Sequence, residues 1–268
     1  PAASGPNVMD IDFDALIANE TDSTLKDMHE YFRDRTPTEK NQYTGMFQGK
    51  NLLLFTGEAF WIGAVNEQYT PTLYKLAHSG FVFENFYNPL WYYSTVDGEY
   101  AATTGLIPTN QVNASQRYAG KNGVSMYFSM GNQLRALGYP TLAYHNNTAN
   151  YYDRNLSHPN LGYDFYACDT GLDVAMTWPQ SDLEMMQLTL PQALAGEKPF
   201  HNYYMTVSGH MNYSFAGNAM SAKHRDEVAD LDMSEAARAY LACNMELDQA
   251  LEYTIKTLEE AGELENTV

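Results

Sequence analysis

Short apolar runs alternate with helix-like stretches along most of this chain. Residues 52–55, Leu-Leu-Leu-Phe, form an apolar run of the length and composition of a buried parallel strand. Residues 70–79 open on Thr-Pro-Thr and then set Leu73, Leu76 and Ala77 at helical spacing, which predicts a helix with proline in its first turn and Gly80 past its end. The same reading predicts a second strand over 81–87, a helix over 129–137 closed by Gly138, and a third strand over 141–145. A helix over 181–194 with an acidic start suits the helix dipole, and a fourth strand comes next over 201–208. Residues 234–261 predict a long amphipathic helix with Tyr240, Leu247, Leu251, Ile255 and Leu258 along one face, and 265–268 read as the start of one more strand. Strands alternating with helices in this way predict an α/β fold, with a mostly parallel central sheet flanked by helices. Residues 1–42 are polar and acidic, with helical spacing around Leu25, Met28 and Phe32. They read as a helical lead-in that wraps the domain formed by 43–268.

Composition narrows the partners. The chain has 268 residues and a net charge of −18. Such acidity excludes broad nucleic-acid binding, which rests on Lys and Arg neutralising phosphates, and disfavours docking on an anionic membrane. An anionic substrate would then have to be drawn by a local focus, most simply a bound cation. No apolar run reaches the roughly 18–20 residues of a membrane helix, and no leader peptide is visible. Pro1 in place of Met suggests a processed or excised polypeptide. Cys168 and Cys243 lie far apart and outside any metal-binding spacing, so two buried free thiols are the first reading, with a single disulfide as the alternative in an exported protein.

Candidate chemistry falls where predicted strands end, the usual place for sites in parallel sheets. Glu58 comes just after the first apolar run and reads either as a solvated loop acid or as a carboxylate ligand for a divalent cation. About forty residues on, Thr95 stands among Ser94, Asp97 and Glu99 as a candidate hydroxyl nucleophile. A threonine hydroxyl is a poor nucleophile until a base or metal lowers its pKa, and a cation held by Glu58 would do so. His145 and the segment after it, with Tyr152 and Arg154, read as a head-group pocket in which Arg154 could grip phosphate in bidentate fashion. His210 comes after the fourth strand, where a histidine can donate to a phosphoryl oxygen or protonate a leaving alkoxide. The consecutive Trp91, Tyr92 and Tyr93 are expected to line the groove beside Thr95.

Five ordered segments, YTGMFQGKNLLLFTGEAF, TPTLYKLAHSGFVFENFYNP, STVDGEY, LGYPTLAYHNNTANYYDRN and FHNYYMTVSGHMNYSF, resemble the extracellular catalytic domain of the lipoteichoic acid synthase family, within the alkaline phosphatase and sulfatase superfamily. The resemblance implies that Glu58 and Thr95 bind a divalent metal, with Mn²⁺ first and Mg²⁺ or Zn²⁺ as alternatives. It implies that Thr95 forms a covalent intermediate and that His145, Tyr152, Arg154 and His210 meet the substrate. Ser94 departs from the family pattern, which often has lysine there. The family closes its metal site with an Asp-His pair after the strand beyond the long helix. No Asp-His dipeptide occurs here, so the expectation is a chain that stops short of that motif.

The function the resemblance implies is metal-dependent transfer of a phosphoglycerol-type head group from a phospholipid to a glycerol-phosphate or glycolipid acceptor. It would take place at the extracellular face of a bacterial membrane, with a membrane tether in the full-length protein. Hydrolysis of phosphate or sulfate esters is the alternative within the fold, although neither cysteine nor Ser94 lies in the C/S-x-P-x-R setting of a sulfatase nucleophile. A non-catalytic domain that holds glycerol-phosphate polymer is the alternative outside enzymology.

Overall fold

A computed structural model describes residues 4–87 and 95–268 of the chain. Trp91, Tyr92, Tyr93 and Ser94 lie outside the described residues. The chain divides into two compact units, Pro1–Gly49 and Lys50–Val268.

The first unit carries α1 (Phe13–Asn19) and α2 (Ser23–Arg33). Both start at an aspartate cap: Asp12 accepts from the Ala15 amide, and Asp22 from those of Thr24 and Leu25. Such caps satisfy amides that have no partner inside the helix. The spacing of Leu25, Met28 and Phe32 is indeed helical, yet neither helix contains a fully buried residue.

The second unit is built on β1 (Leu52–Thr56), α3 (Pro71–Ala77), α4 (Thr95–Thr104), α5 (Val112–Asn122), α6 (Met130–Ala136), β2 (Thr141–His145), α7 (Arg154–Asn160), β3 (Asp164–Ala167), α8 (Asp182–Ala195), β4 (His201–Met205), α9 (Ala219–Lys223) and α10 (Glu235–Glu260). Its sheet has four strands in the order β1-β4-β2-β3, and every pairing is parallel. All five residues of the inner strand β4 are buried, whereas those of β1 are only half-buried. Alternating side chains give the sheet two different faces. One face stacks Phe55, Tyr204, Tyr144 and Tyr166 ring on ring across all four strands, with centroids 5.0, 5.3 and 5.7 Å apart. Met185, Met186 and Leu190 of α8 and Ala250 and Leu258 of α10 cover that face. The other face packs Ala143, Tyr203 and Met205 against Leu161 and Tyr163.

Three expectations are corrected. Residues 81–87 form no strand, and Phe83 and Tyr87 are 73% and 83% exposed. A run of apolar residues becomes a strand only where a neighbour pairs with its backbone, and none of the described residues does so here. Residues 264–266 form a 3-10 turn rather than a strand start, after which Thr267 makes an isolated parallel bridge to Asn51. In α10 the buried stripe runs through Cys243, Glu246, Leu247, Ala250, Thr254 and Leu258. Tyr240, Leu251 and Ile255 therefore lie on its half-buried flank. Both cysteines are free thiols.

Candidate active site

A cavity of about 360 Å³ opens beside the C-terminal ends of β1, β2 and β4. Glu58, Thr95, His145, Tyr152, Arg154 and His210 all line it, so the fold brings the six sequence candidates to one place. Asn147, Tyr151 and Trp178 line it as well, beyond the sequence candidates. Asn147 and Tyr151 belong to the same post-strand segment as His145 and Tyr152, and that proximity is the signal the sequence holds for them. Trp178 gives none, because it stands in an irregular stretch just before the Ser181 cap of α8.

Glu58 sits two residues past β1, where its amide donates to Thr206 Oγ1 at 2.9 Å. The neighbouring loop after β4 passes so close that a Cβ on Gly209 would meet the Glu58 carbonyl oxygen at 2.5 Å. Glycine is the residue this approach permits. Thr95 is the first residue of α4, and its Oγ1 donates to Glu58 Oε2 at 3.1 Å. Burial raises the Glu58 carboxyl above its ordinary pKa, opposed by His210 and the Thr95 hydrogen bond. Among the described residues, Thr95 supplies the only hydrogen bond to this carboxylate.

The histidines are set by their backbone partners. His145 Nδ1 lies 2.9 Å from the Met205 carbonyl oxygen, so that nitrogen carries the proton. Burial, with the Arg154 charge as second cause, lowers the His145 pKa to about 3. The ring is therefore neutral at physiological pH, and Nε2 is left as an acceptor. His210 Nδ1 lies 2.8 Å from the Met211 carbonyl oxygen, and its ring meets Trp178 edge-on at 4.9 Å.

Tyr152 and Asp153 both have left-handed backbone, with φ of +57° and +55°. Two successive non-glycine residues in that region are strained, and such strain gathers at functional sites. The turn leads into α7 and places the Tyr152 ring 5.3 Å from the Arg154 guanidinium. Burial raises the Tyr152 hydroxyl to about 12, so it acts as a donor rather than an anion. Arg154 is not the open phosphate grip that its sequence position suggests. Its Nε and Nη2 donate to Glu99 Oε1 at 2.9 and 2.5 Å, and Nη1 donates to the Tyr151 carbonyl at 3.2 Å. Burial alone would raise Glu99, but Arg154 and His158 reverse this and hold it well below the usual carboxylate range.

The metal implied by the resemblance can be tested against these groups. Glu58 and Thr95 are two oxygen donors within hydrogen-bond reach, and the carboxylate is desolvated and short of partners. That chemistry suits a hard divalent cation. It supplies two of the roughly six ligands such an ion takes. Among the described residues no group of three His, Cys, Asp or Glu side chains is placed to hold one.

A family model for sulfatases matches residues 50–268, which are the whole of the second unit. The chain belongs to the sulfatase family. Two curated relatives of this family member come from Bacillus subtilis (strain 168). Lipoteichoic acid synthase 1 is 24% identical over 243 residues, covering 85% of this chain and 36% of the relative. Lipoteichoic acid synthase 2 is 23% identical over 206 residues, covering 71% and 30%. The chain thus spans about a third of the length of the curated relatives it matches. Among solved structures, the lipoteichoic acid synthase LtaP from Listeria monocytogenes aligns with a TM-score of 0.69 at 19% identity, over 97% of this chain and 60% of that one. A protein of the alkaline phosphatase superfamily from Vibrio parahaemolyticus aligns at 0.62 and 20%, over 82% and 52%. At this identity the structural likeness speaks for the fold, an alkaline phosphatase/sulfatase-like α/β sheet. No helix among the described residues is long and apolar enough to cross a membrane.

Proposed function

We propose that this chain carries part of the catalytic centre of a phosphoglycerol transferase, which moves a phosphoglycerol-type head group from a phospholipid to a hydroxyl of a glycerol-phosphate or glycolipid acceptor. The observation that supports it best is Thr95 Oγ1 at the start of a helix, 3.1 Å from a buried carboxylate, in a cavity at the ends of parallel strands. The lipoteichoic acid synthase names of the two curated relatives favour the same reading.

Glu58 and Thr95 would hold a divalent cation, Mn²⁺ first with Mg²⁺ or Zn²⁺ as alternatives. When bound, that cation lowers the pKa of a hydroxyl and polarises a phosphoryl oxygen. Thr95 Oγ1 then forms the bond to phosphorus. Its proton already points to Glu58 Oε2. Thr95 also sits where the helix dipole of α4 favours the negative charge that develops. His210, with Nδ1–H donated to the Met211 carbonyl, would as an imidazolium donate Nε2–H to a phosphoryl oxygen or pass that proton to the departing lipid alkoxide. Tyr151, Tyr152 and Trp178 wall the head group, and His145 Nε2 accepts from one of its hydroxyls. The acceptor oxygen then bonds to phosphorus, the bond from phosphorus to Thr95 Oγ1 breaks, and the acceptor's proton restores the Thr95 hydroxyl. In this reading the domain works on its phospholipid donor at the extracellular face of the membrane, tethered in the full-length protein.

A second reading is a domain that binds glycerol phosphate without turnover, and the two-ligand metal site favours it. One experiment separates the two. The protein and its Thr95→Ala variant are incubated with phosphatidylglycerol and Mn²⁺, and their intact masses are measured. A glycerophosphate adduct that Thr95→Ala abolishes supports the transferase. Equal glycerol-phosphate affinity in both proteins, with no adduct in either, supports the binder.

A further inference from the structure

The site contains a buried group to which the transfer chemistry gives no role. Glu99 is 4% exposed and lies one turn after Thr95 on α4, so the two residues share a helix face. Its carboxylate is the meeting point of three elements. Arg154 of α7 donates through Nε and Nη2 at 2.9 and 2.5 Å to Oε1. His158, one turn later on α7, brings Nε2 to 3.3 Å from Oε2. The Tyr203 hydroxyl of β4 donates to the same oxygen at 3.2 Å. The helix buries Val96, Asp97, Gly98, Thr103 and Thr104 as well. Its sequence, Thr-Val-Asp-Gly-Glu-Tyr-Ala-Ala-Thr-Thr, has an internal glycine and no apolar stripe.

We propose that Glu99 is a positioning residue for the Thr95 site. One carboxylate holds the helix that begins at Thr95 and the guanidinium that lines the cavity in a single frame. The distance from the Thr95 hydroxyl to the Arg154 edge is therefore set by Glu99. The proposal rests on the reading of Thr95 as nucleophile and of the cavity as a phosphate site. A guanidinium that sets two N–H donors on one carboxylate fixes direction as well as distance, which a lysine or a single hydrogen bond does not. With Nε and Nη2 on Glu99 and Nη1 on the Tyr151 carbonyl, Arg154 is held in one orientation at the cavity wall.

The test compares Glu99→Gln, Glu99→Asp and the milder Tyr203→Phe with the parent. The threonine methyl groups are isotope-labelled, and the Thr95 resonance is assigned by its loss in Thr95→Ala. Two quantities are read at a temperature where thermal scans show all proteins folded: the Thr95 methyl shift, and the Kd for glycerol phosphate. All three variants are expected to move the Thr95 resonance and to weaken binding, Glu99→Gln and Glu99→Asp by roughly ten- to a hundredfold and Tyr203→Phe by less. Glu99→Asp separates geometry from charge, because it keeps the charge and withdraws the carboxylate by one methylene. Parent-like shift and affinity in Glu99→Asp would overturn the proposal, as would an unmoved Thr95 resonance in both Glu99→Gln and Tyr203→Phe. If the parent itself fails to bind glycerol phosphate, the phosphate-site reading fails, while the Thr95 resonance still decides whether Glu99 sets the frame.

Discussion

Two carboxylates in the second unit meet opposite fates. Glu246 on α10 is gripped by Lys223 Nζ at 2.7 Å, by His224 Nε2 at 2.8 Å and by the Ser181 hydroxyl. Burial alone would raise its pKa, but those donors bring it down to about 2. Glu58 at the end of β1 has the Thr95 hydroxyl and no comparable set of donors among the described residues, and burial raises its pKa. The first carboxylate is satisfied from within and joins α8, α9 and α10. The second is kept short of partners at the wall of a cavity, as expected of a group that waits for a cation. Acids of the same type are thus distinguished by how many donors surround them, rather than by how deeply they are buried.

The sharpest way to test that contrast is to remove the hydroxyl that Glu58 orients. Thr95→Ala is expected to lower transfer by roughly 10³–10⁶-fold. Its thermal midpoint should stay close to the parent's, because the half-buried Thr95 has no part in the core clusters. Glu246→Ala should do the reverse, with a loss of about 3 kcal/mol in chemical denaturation and little change in glycerol-phosphate affinity. The same contrast appears on titration. A depressed pKa gives stability that is complete above the unfolded value and is lost as pH falls through the folded one. The Glu246 contribution should therefore disappear between its ordinary value of 4.5 and about 2. The raised pKa of Glu58 works in the opposite sense: its stabilisation is present at low pH and is lost as pH rises through the folded value. Glu58→Gln should accordingly leave neutral-pH stability equal or slightly higher, while Mn²⁺ affinity measured by calorimetry drops roughly 10–100-fold. An equal loss of stability in Glu58→Gln and Glu246→Ala would break the comparison. The smallest effect is expected at Trp178, whose ring packs at a steep angle against that of His210. Trp178→Ala should weaken glycerol-phosphate binding by about 3–10-fold and leave Mn²⁺ binding intact.

Much of this is legible in the chain because parallel strands announce themselves locally. The run at 52–55 is wholly apolar, those read at 141–145 and 201–208 mix apolar and aromatic residues as a packed strand does, and the residues at or just beyond the strand ends lie at the sheet's C-terminal edge. That alone points to Glu58, His145 and His210. The strand β3 escapes such a reading because an edge strand of four residues, half of them exposed, has no apolar run to show. The helix α4 escapes it because its buried residues are Asp97, Glu99 and threonines as much as Val96, so no hydrophobic period marks it. The role of Arg154 is hidden for a different reason. Its partner Glu99 is 55 residues away, and a pairing over that distance leaves no trace in either local sequence. The apolar run at 81–87 teaches the converse, since an apolar pattern without a pairing neighbour does not make a strand.

The four stacked rings behind the sheet also act as a ruler. Phe55 pairs in register with Tyr204, Tyr204 with Tyr144, and Tyr144 with Tyr166, so each ring touches the next only when every strand is aligned to the residue. A slip of β2 by a single position against β4 would turn Tyr144 to the opposite face and carry His145 away from the Met205 carbonyl. The spacing of Glu58, His145 and His210 at the open end of the sheet is thereby measured out from behind it, by side chains that do not line the cavity.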